Sequence, residues 1–132
     1  VGAVDFKTMT DVKGKPVALE GGKANLRAVL SSMPKEMQMA LMDYTGQAEG
    51  ALQKAAQGAA SMGKPEAVPY LLYSDNLGID SQQAVKLMQD PALMGYKDQG
   101  QRFALAAQAM DLVKSGEASD VEAALGKVLA RK

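Results

Sequence analysis

Ser61-Met62-Gly63-Lys64 followed by Ser74-Asp75-Asn76 is the one arrangement in this chain with the look of nucleophilic chemistry. Ser-x-x-Lys with Ser-Asp-Asn is how serine acyl-transfer enzymes present a hydroxyl, an amine and an amide to a carbonyl carbon. The chemistry needs Ser and Lys on one helical turn, so that the amine reaches the hydroxyl proton. Gly63 and Pro65 bracket Lys64, so the helix is ending where it would have to continue. The accompanying Lys-Thr-Gly element is missing. Ser32-Met33-Pro34-Lys35 repeats the first pattern with nothing around it. The pattern reads as a helix end. Carboxylates alone remain as acid–base candidates, Glu66 with Asp75 or Asp80, and no spacing sets them up as a pair. No catalytic residue is assigned, and the chain is expected not to be an enzyme.

Metal chemistry has little to work with. The chain holds no His and no Cys. That removes the common transition-metal ligands, the common general base, disulfides and thiolate nucleophiles. Asp75, Asn76 and Asp80 are oxygen ligands in a short loop, but Leu77 and Ile79 interrupt them and no closing Glu follows, as a calcium loop requires. A methionine-only copper site is conceivable from ligand softness alone. The expectation is no metal and no cofactor.

Residues 70–88 carry the sharpest binding pattern. A short apolar stretch from Tyr70, then Leu77-Gly78-Ile79-Asp80, then Ala84-Val85-Lys86-Leu87, has the layout of a helix-turn-helix. The second helix would turn Ser81, Gln82, Gln83 and Lys86 toward bases, and Gln can pair bidentately with adenine. Against this, Pro69 is expected to delay the first helix, Asp75, Asp80 and Asp90 surround the reading surface, and few cations stand ready for phosphates. A structural corner is the preferred reading, a DNA-binding domain the alternative. Nucleic acid is not expected as a partner.

Nine Met residues raise a different question. Met33, Met37, Met39 and Met42 crowd ten residues and cover more than one helical face. Met suits irregular cores and adaptable contact surfaces alike. Met37, Leu41, Tyr44, Ala48 and Leu52 continue one stripe and should face inward. Met39 and Met42 cannot both join it, so at least one should be exposed. Gly46, Gly50 and Gly58 with Ala51, Ala55 and Ala59 add a small-residue face that lets a helix approach closely. The candidate partner-binding residues are Met33, Met39, Met42 and Leu52.

The elements that would position these residues are helical. The chain has 132 residues, 47 % of them hydrophobic and 23 % charged, with no Trp and two Phe. Ala, Leu, Met, Gln and Lys favour helix, and strand-formers are scarce. One domain of this length buries roughly two thirds of the surface of its unfolded chain. The net charge is +0, spread as six basic against three acidic residues over 1–35, four against eight over 36–98, and five against four over 99–132. An acidic middle excludes a phosphate-binding sheath there. No apolar run is long enough to span a bilayer, no leader pattern opens the chain, and compartment is unassigned. The first residue is Val1 rather than Met, as in a processed product or a piece of something larger.

Residues 1–21 read as a non-helical arm or a short β-hairpin, with Val4, Phe6 and Thr8 alternating before the Lys13-Gly14-Lys15-Pro16 turn. Residues 22–132 read as one helical bundle. Leu26, Val29, Leu30 and Met33 make the first stripe, and Pro34 ends it. Thr45-Gly46 marks a kink or boundary, and Gly63-Lys64-Pro65 is a stop. Asp80 with Gln83 predicts a capping box, Asp90-Pro91 a short helical turn. Phe103, Ala106, Ala107, Met110 and Val113 form a face that Gly116 ends, and Ser119 with Glu122 predicts a second capping box. The fold class is all-α, a compact bundle of about six helices. The expected function is a non-enzymatic protein–protein interaction or assembly module, bound to another protein or to itself through residues 33–62. Two alternatives stand beside it: the helix-turn-helix of residues 70–88, and a structural or internal component of a larger particle such as a virion.

Overall fold

The computed structural model describes residues 30–31, 33–47, 50–64 and 66–131. The arm or hairpin expected over 1–21, the start of the first stripe and Ala48 lie outside the described residues. Within them the chain is all-helical, with no strand. Seven helices follow one another: α1 (Lys35–Gln47), α2 (Ala51–Met62), α3 (Ala67–Leu77), α4 (Ser81–Met88), α5 (Pro91–Met94), α6 (Gln99–Ser115) and α7 (Val121–Ala130). The boundary expected at Thr45-Gly46 falls slightly later. Thr45 sits inside α1, its hydroxyl donating to the Met42 carbonyl at 2.9 Å, and Gly50 opens α2.

Two helices organise the rest. α6 packs against α3, α4, α5 and α7, and α3 packs against α1, α2, α4 and α6. At their crossing Phe103 is fully buried. Tyr70 meets its ring edge-on, centroids 5.4 Å apart and planes at 89°, and Tyr73 does the same at 5.9 Å and 86°. Edge-to-face pairs add about 0.5–1.5 kcal/mol beyond the area they bury. Ala106, Ala107 and Ala109 are buried along α6, which gives neighbouring backbones room to approach. The Tyr73 hydroxyl then donates to Asp111 Oδ1 at 2.7 Å, closing the seam with a hydrogen bond at its wet edge.

The α3–α4 corner follows from Gly78. Its φ of 74° is left-handed, a conformation glycine adopts without a Cβ penalty. The Gly78 N–H donates to the Asp75 carbonyl at 3.1 Å and the Ile79 N–H to that of Ser74 at 2.8 Å, the paired bonds of a glycine-terminated helix. Pro69 does not delay α3. It is the third residue of the helix, where the missing N–H would have no intrahelical partner, so the helix begins at Ala67.

Aspartates start the later helices. Asp80, Asp90, Asp98 and Asp120 each accept backbone N–H groups of the first turn that follows. Two expectations change here. The Asp80–Gln83 box is half formed: Asp80 accepts from the Gln82 N–H at 2.9 Å, but the Gln83 side-chain oxygen is buried without a partner among the described residues. Ser119 is exposed and is not the cap of α7. Asp120 takes that place, accepting the Ala123 N–H at 2.8 Å, because a carboxylate accepts more strongly and its charge suits the helix N-terminus. Glu122 pairs instead with Lys86 at 3.1 Å, linking α4 to α7.

Asp120→Ala should therefore lower unfolding free energy by about 0.5–2 kcal/mol, with Asp120→Asn close to wild type, because Asn caps as well as Asp. Ser119→Ala should be silent. Urea denaturation of the three variants checks this, and a loss in Ser119→Ala matching that in Asp120→Ala would return the cap to Ser119.

Candidate functional site

Among the described residues a depression lies between α2 and α3, and small side chains line it. Ala51, Ala55 and Gly58 recur at helical spacing on one face of α2 and form its floor. A Cβ at Gly58 would lie 3.1 Å from Leu71 Cδ1, so glycine sets how closely α2 and α3 approach. Leu71 and Ile79 supply the apolar walls, Ile79 being brought there by the turn at Gly78. The groove measures about 500 Å³, within the range of ligand and side-chain pockets.

Its rims are polar and carry one charge of each sign. Lys54 and Gln57 stand on α2, Ser74 and Asp75 on α3, and Ser81 at the start of α4. Ser74 is buried, its hydroxyl donating to the Leu71 carbonyl at 3.0 Å. Asp75 Oδ2 accepts the hydroxyl of Tyr44, which anchors α1 beside the groove. Burial, and then the bond to Asp75 and its charge, push the Tyr44 phenol up to about 12. A phenol held neutral in this way is a hydrogen-bond donor at any ordinary pH.

The expected contact residues separate. Met33 and Leu52 are buried, at 4 % and 3 % exposure, and belong to the core. Met33 packs inward as the last residue of the first stripe, and Leu52 does so because α2 turns that face to the bundle. Met42 is half-buried. Met39 is 55 % exposed, as the crowding of thioethers on α1 requires. Leu41 is fully buried, while Met37 and Tyr44 are half-buried against the core.

The corner residues named for base reading lie at the start and along the face of α4. Ser81, Gln82 and Lys86 are exposed, and Gln83 is half-buried. Lys86, the only cation of α4, is engaged by Glu122. Ser61 and Lys64 are separated by the left-handed turn at Gly63, and Ser74 is occupied with its own helix. Glu66 and Asp75 stand at opposite ends of α3, roughly 13 Å apart along its axis by helical rise. Asp80 caps α4, and Asp75, near the end of α3, accepts from Tyr44 through Oδ2. Among the described residues no three acidic side chains gather in a metal-binding arrangement.

No family model, no curated protein and no solved structure matches the chain.

The groove was not visible in the residue pattern. Its rims are residues far apart in the chain, and Tyr44 and Asp75 lie 31 positions apart. The small-residue face of α2 was the one legible signal, without its position against Leu71.

Tyr44 and Tyr73 also make the stability of the fold depend on alkaline pH. Both phenols are raised above their ordinary 10, each first by burial and then by an aspartate acceptor. The folded state resists ionisation that the unfolded chain allows, so their contribution is complete below pH 10; that of Tyr44 is lost as pH rises through about 12, and that of Tyr73, raised further, at still higher pH. Replacing both with Phe should flatten the fall in stability between pH 10 and 12, though not abolish it, because buried Tyr70 is also raised to about 12. Chemical denaturation at pH 8 and 11 checks this, and equal losses in wild type and the double variant would refute it.

Proposed function

We propose that the chain is a non-enzymatic interaction or assembly module, and that its contact surface is the α2–α3 groove together with the Met39 face of α1. The observation that carries the reading is the groove itself, about 500 Å³ with an apolar floor, beside a helix that exposes a thioether. A single exposed Met is ordinary on a protein surface. An exposed Met on a helix that Tyr44 ties to the rim of an apolar groove supports a contact site.

Catalysis is less well supported. Of the groove's polar groups, Ser74 and Asp75 already have partners, and the one phenol touching the rim is raised away from ionisation. The DNA-binding reading has one cation on α4, Lys86, and an acidic residue, Glu122, stands 3.1 Å from it. A component of a larger particle is the same proposal at a larger scale, and rests on composition.

A photo-crosslinking side chain placed at Gln57, an exposed rim position, tests the reading in an extract of the native source. The expected result is a discrete protein adduct, reduced severalfold by Met39→Lys or Lys54→Glu. Gln108→Lys, on the exposed side of α6, should leave it unchanged. No adduct, or one indifferent to all three substitutions, would overturn the proposal.

A further inference from the structure

Building on the interaction reading, we infer that the partner seated in the α2–α3 groove is a second copy of this chain, inserting Met39 with Lys35 and Asp43 on either side. On α1 these three residues follow one another at four-residue intervals and all three are exposed. They form one stripe about 12 Å long that reads cation, thioether, carboxylate. The groove reads in the opposite sense: the Asp75 carboxylate on one rim, an apolar floor, the Lys54 ammonium on the other. Lys35 of one copy meets Asp75 of the other, and Asp43 meets Lys54.

The groups needed for this are available. Among the described residues Lys35, Asp43 and Lys54 form no ion pair. Asp75 uses Oδ2 for Tyr44, which leaves Oδ1 to accept from an ammonium. The floor of Ala55 and Gly58 is shallow in side chain, and an unbranched thioether with three rotatable bonds fits an irregular apolar cleft. The bond from Tyr44 to Asp75 holds α1 beside the groove it would fill in the other copy. A two-fold axis exchanging the two α1 helices therefore makes the same contact twice, the commonest closed arrangement for identical chains. The net charge of +0 sets no long-range repulsion against the encounter. Exposed ion pairs contribute little affinity, so here they fix register and the thioether supplies the attraction.

Sedimentation equilibrium of the full chain, from about 10 µM to about 1 mM, tests the inference at the weak affinities expected of a small interface. Dimer is expected within that window. Met39→Lys should weaken it by about tenfold or more, and Lys54→Glu and Asp43→Lys by roughly three- to tenfold each. The double variant carrying both reversals should recover most of the wild-type affinity, because the pair is restored with its sign exchanged. All three positions are exposed, and thermal melts of the variants establish that each is folded. A monomer throughout the window, a dimer indifferent to Met39→Lys, or a double variant no tighter than the singles would each overturn self-association. A monomer that still gives the Met39-dependent adduct at Gln57 would overturn this inference alone. A monomer without that adduct would overturn the interaction reading as well.

Discussion

Burial of Phe103 between Tyr70 and Tyr73 is the contact on which the remaining geometry depends. The three rings fix the crossing of α3 and α6, and each Tyr presents a polar end that has to reach water or a partner. Tyr73 reaches Asp111 on α6, which sets the rotation of α3 about its own axis. Once that rotation is set, Leu71 and Asp75 must point away from α6. Leu71 then meets α2 at Gly58, and Asp75 meets α1 at Tyr44. The groove is the space left when two helices dock on the outer side of α3, one through a glycine and the other through a phenol.

Much of the helical framework was legible because its signals are local. A glycine that turns the chain at residue 78, an aspartate that accepts the next helix's first N–H groups, and an apolar stripe each act within a few residues. The end of the molecule, from Phe103 to Leu129, consists of such signals and reads through with one error. That error is physical. Ser119 and Asp120 are adjacent candidates for the same cap, and the spacing to Glu122 favoured the serine while acceptor strength favoured the aspartate. Pro69 misled for a related reason, since proline is disruptive inside a helix and harmless in its first turn.

The site was legible only in part. Crowding of Met37, Met39 and Met42 on one helix forces a thioether outward, and Met39 is that thioether. Met33 and Leu52 share the same residue chemistry but lie on faces that the bundle covers, which no count of apolar residues distinguishes. The groove itself depends on α2 meeting α3, a long-range event. Nothing near Asp75 in sequence announces Tyr44, and nothing near Gly58 announces Leu71.

The small side chains of α2 also explain why the groove and the fold coexist. An Ala-lined seam buries less apolar area per residue than one built from Leu or Phe, so the α2–α3 contact gains less from the hydrophobic effect than the α3–α6 seam does. Gly58 adds backbone freedom that an interior helical position would otherwise do without. These are concessions in stability, concentrated on the face that lines the α2–α3 groove. The largest fully buried side chains, Phe103, Leu41, Leu72, Leu87, Leu93, Met110 and Val68, come instead from α1, α3, α4, α5 and α6. The bundle thus separates two seams in space: α3 turns Tyr70 and Tyr73 to Phe103 of α6, and its opposite side, with Leu71 and Asp75, to α2 and α1.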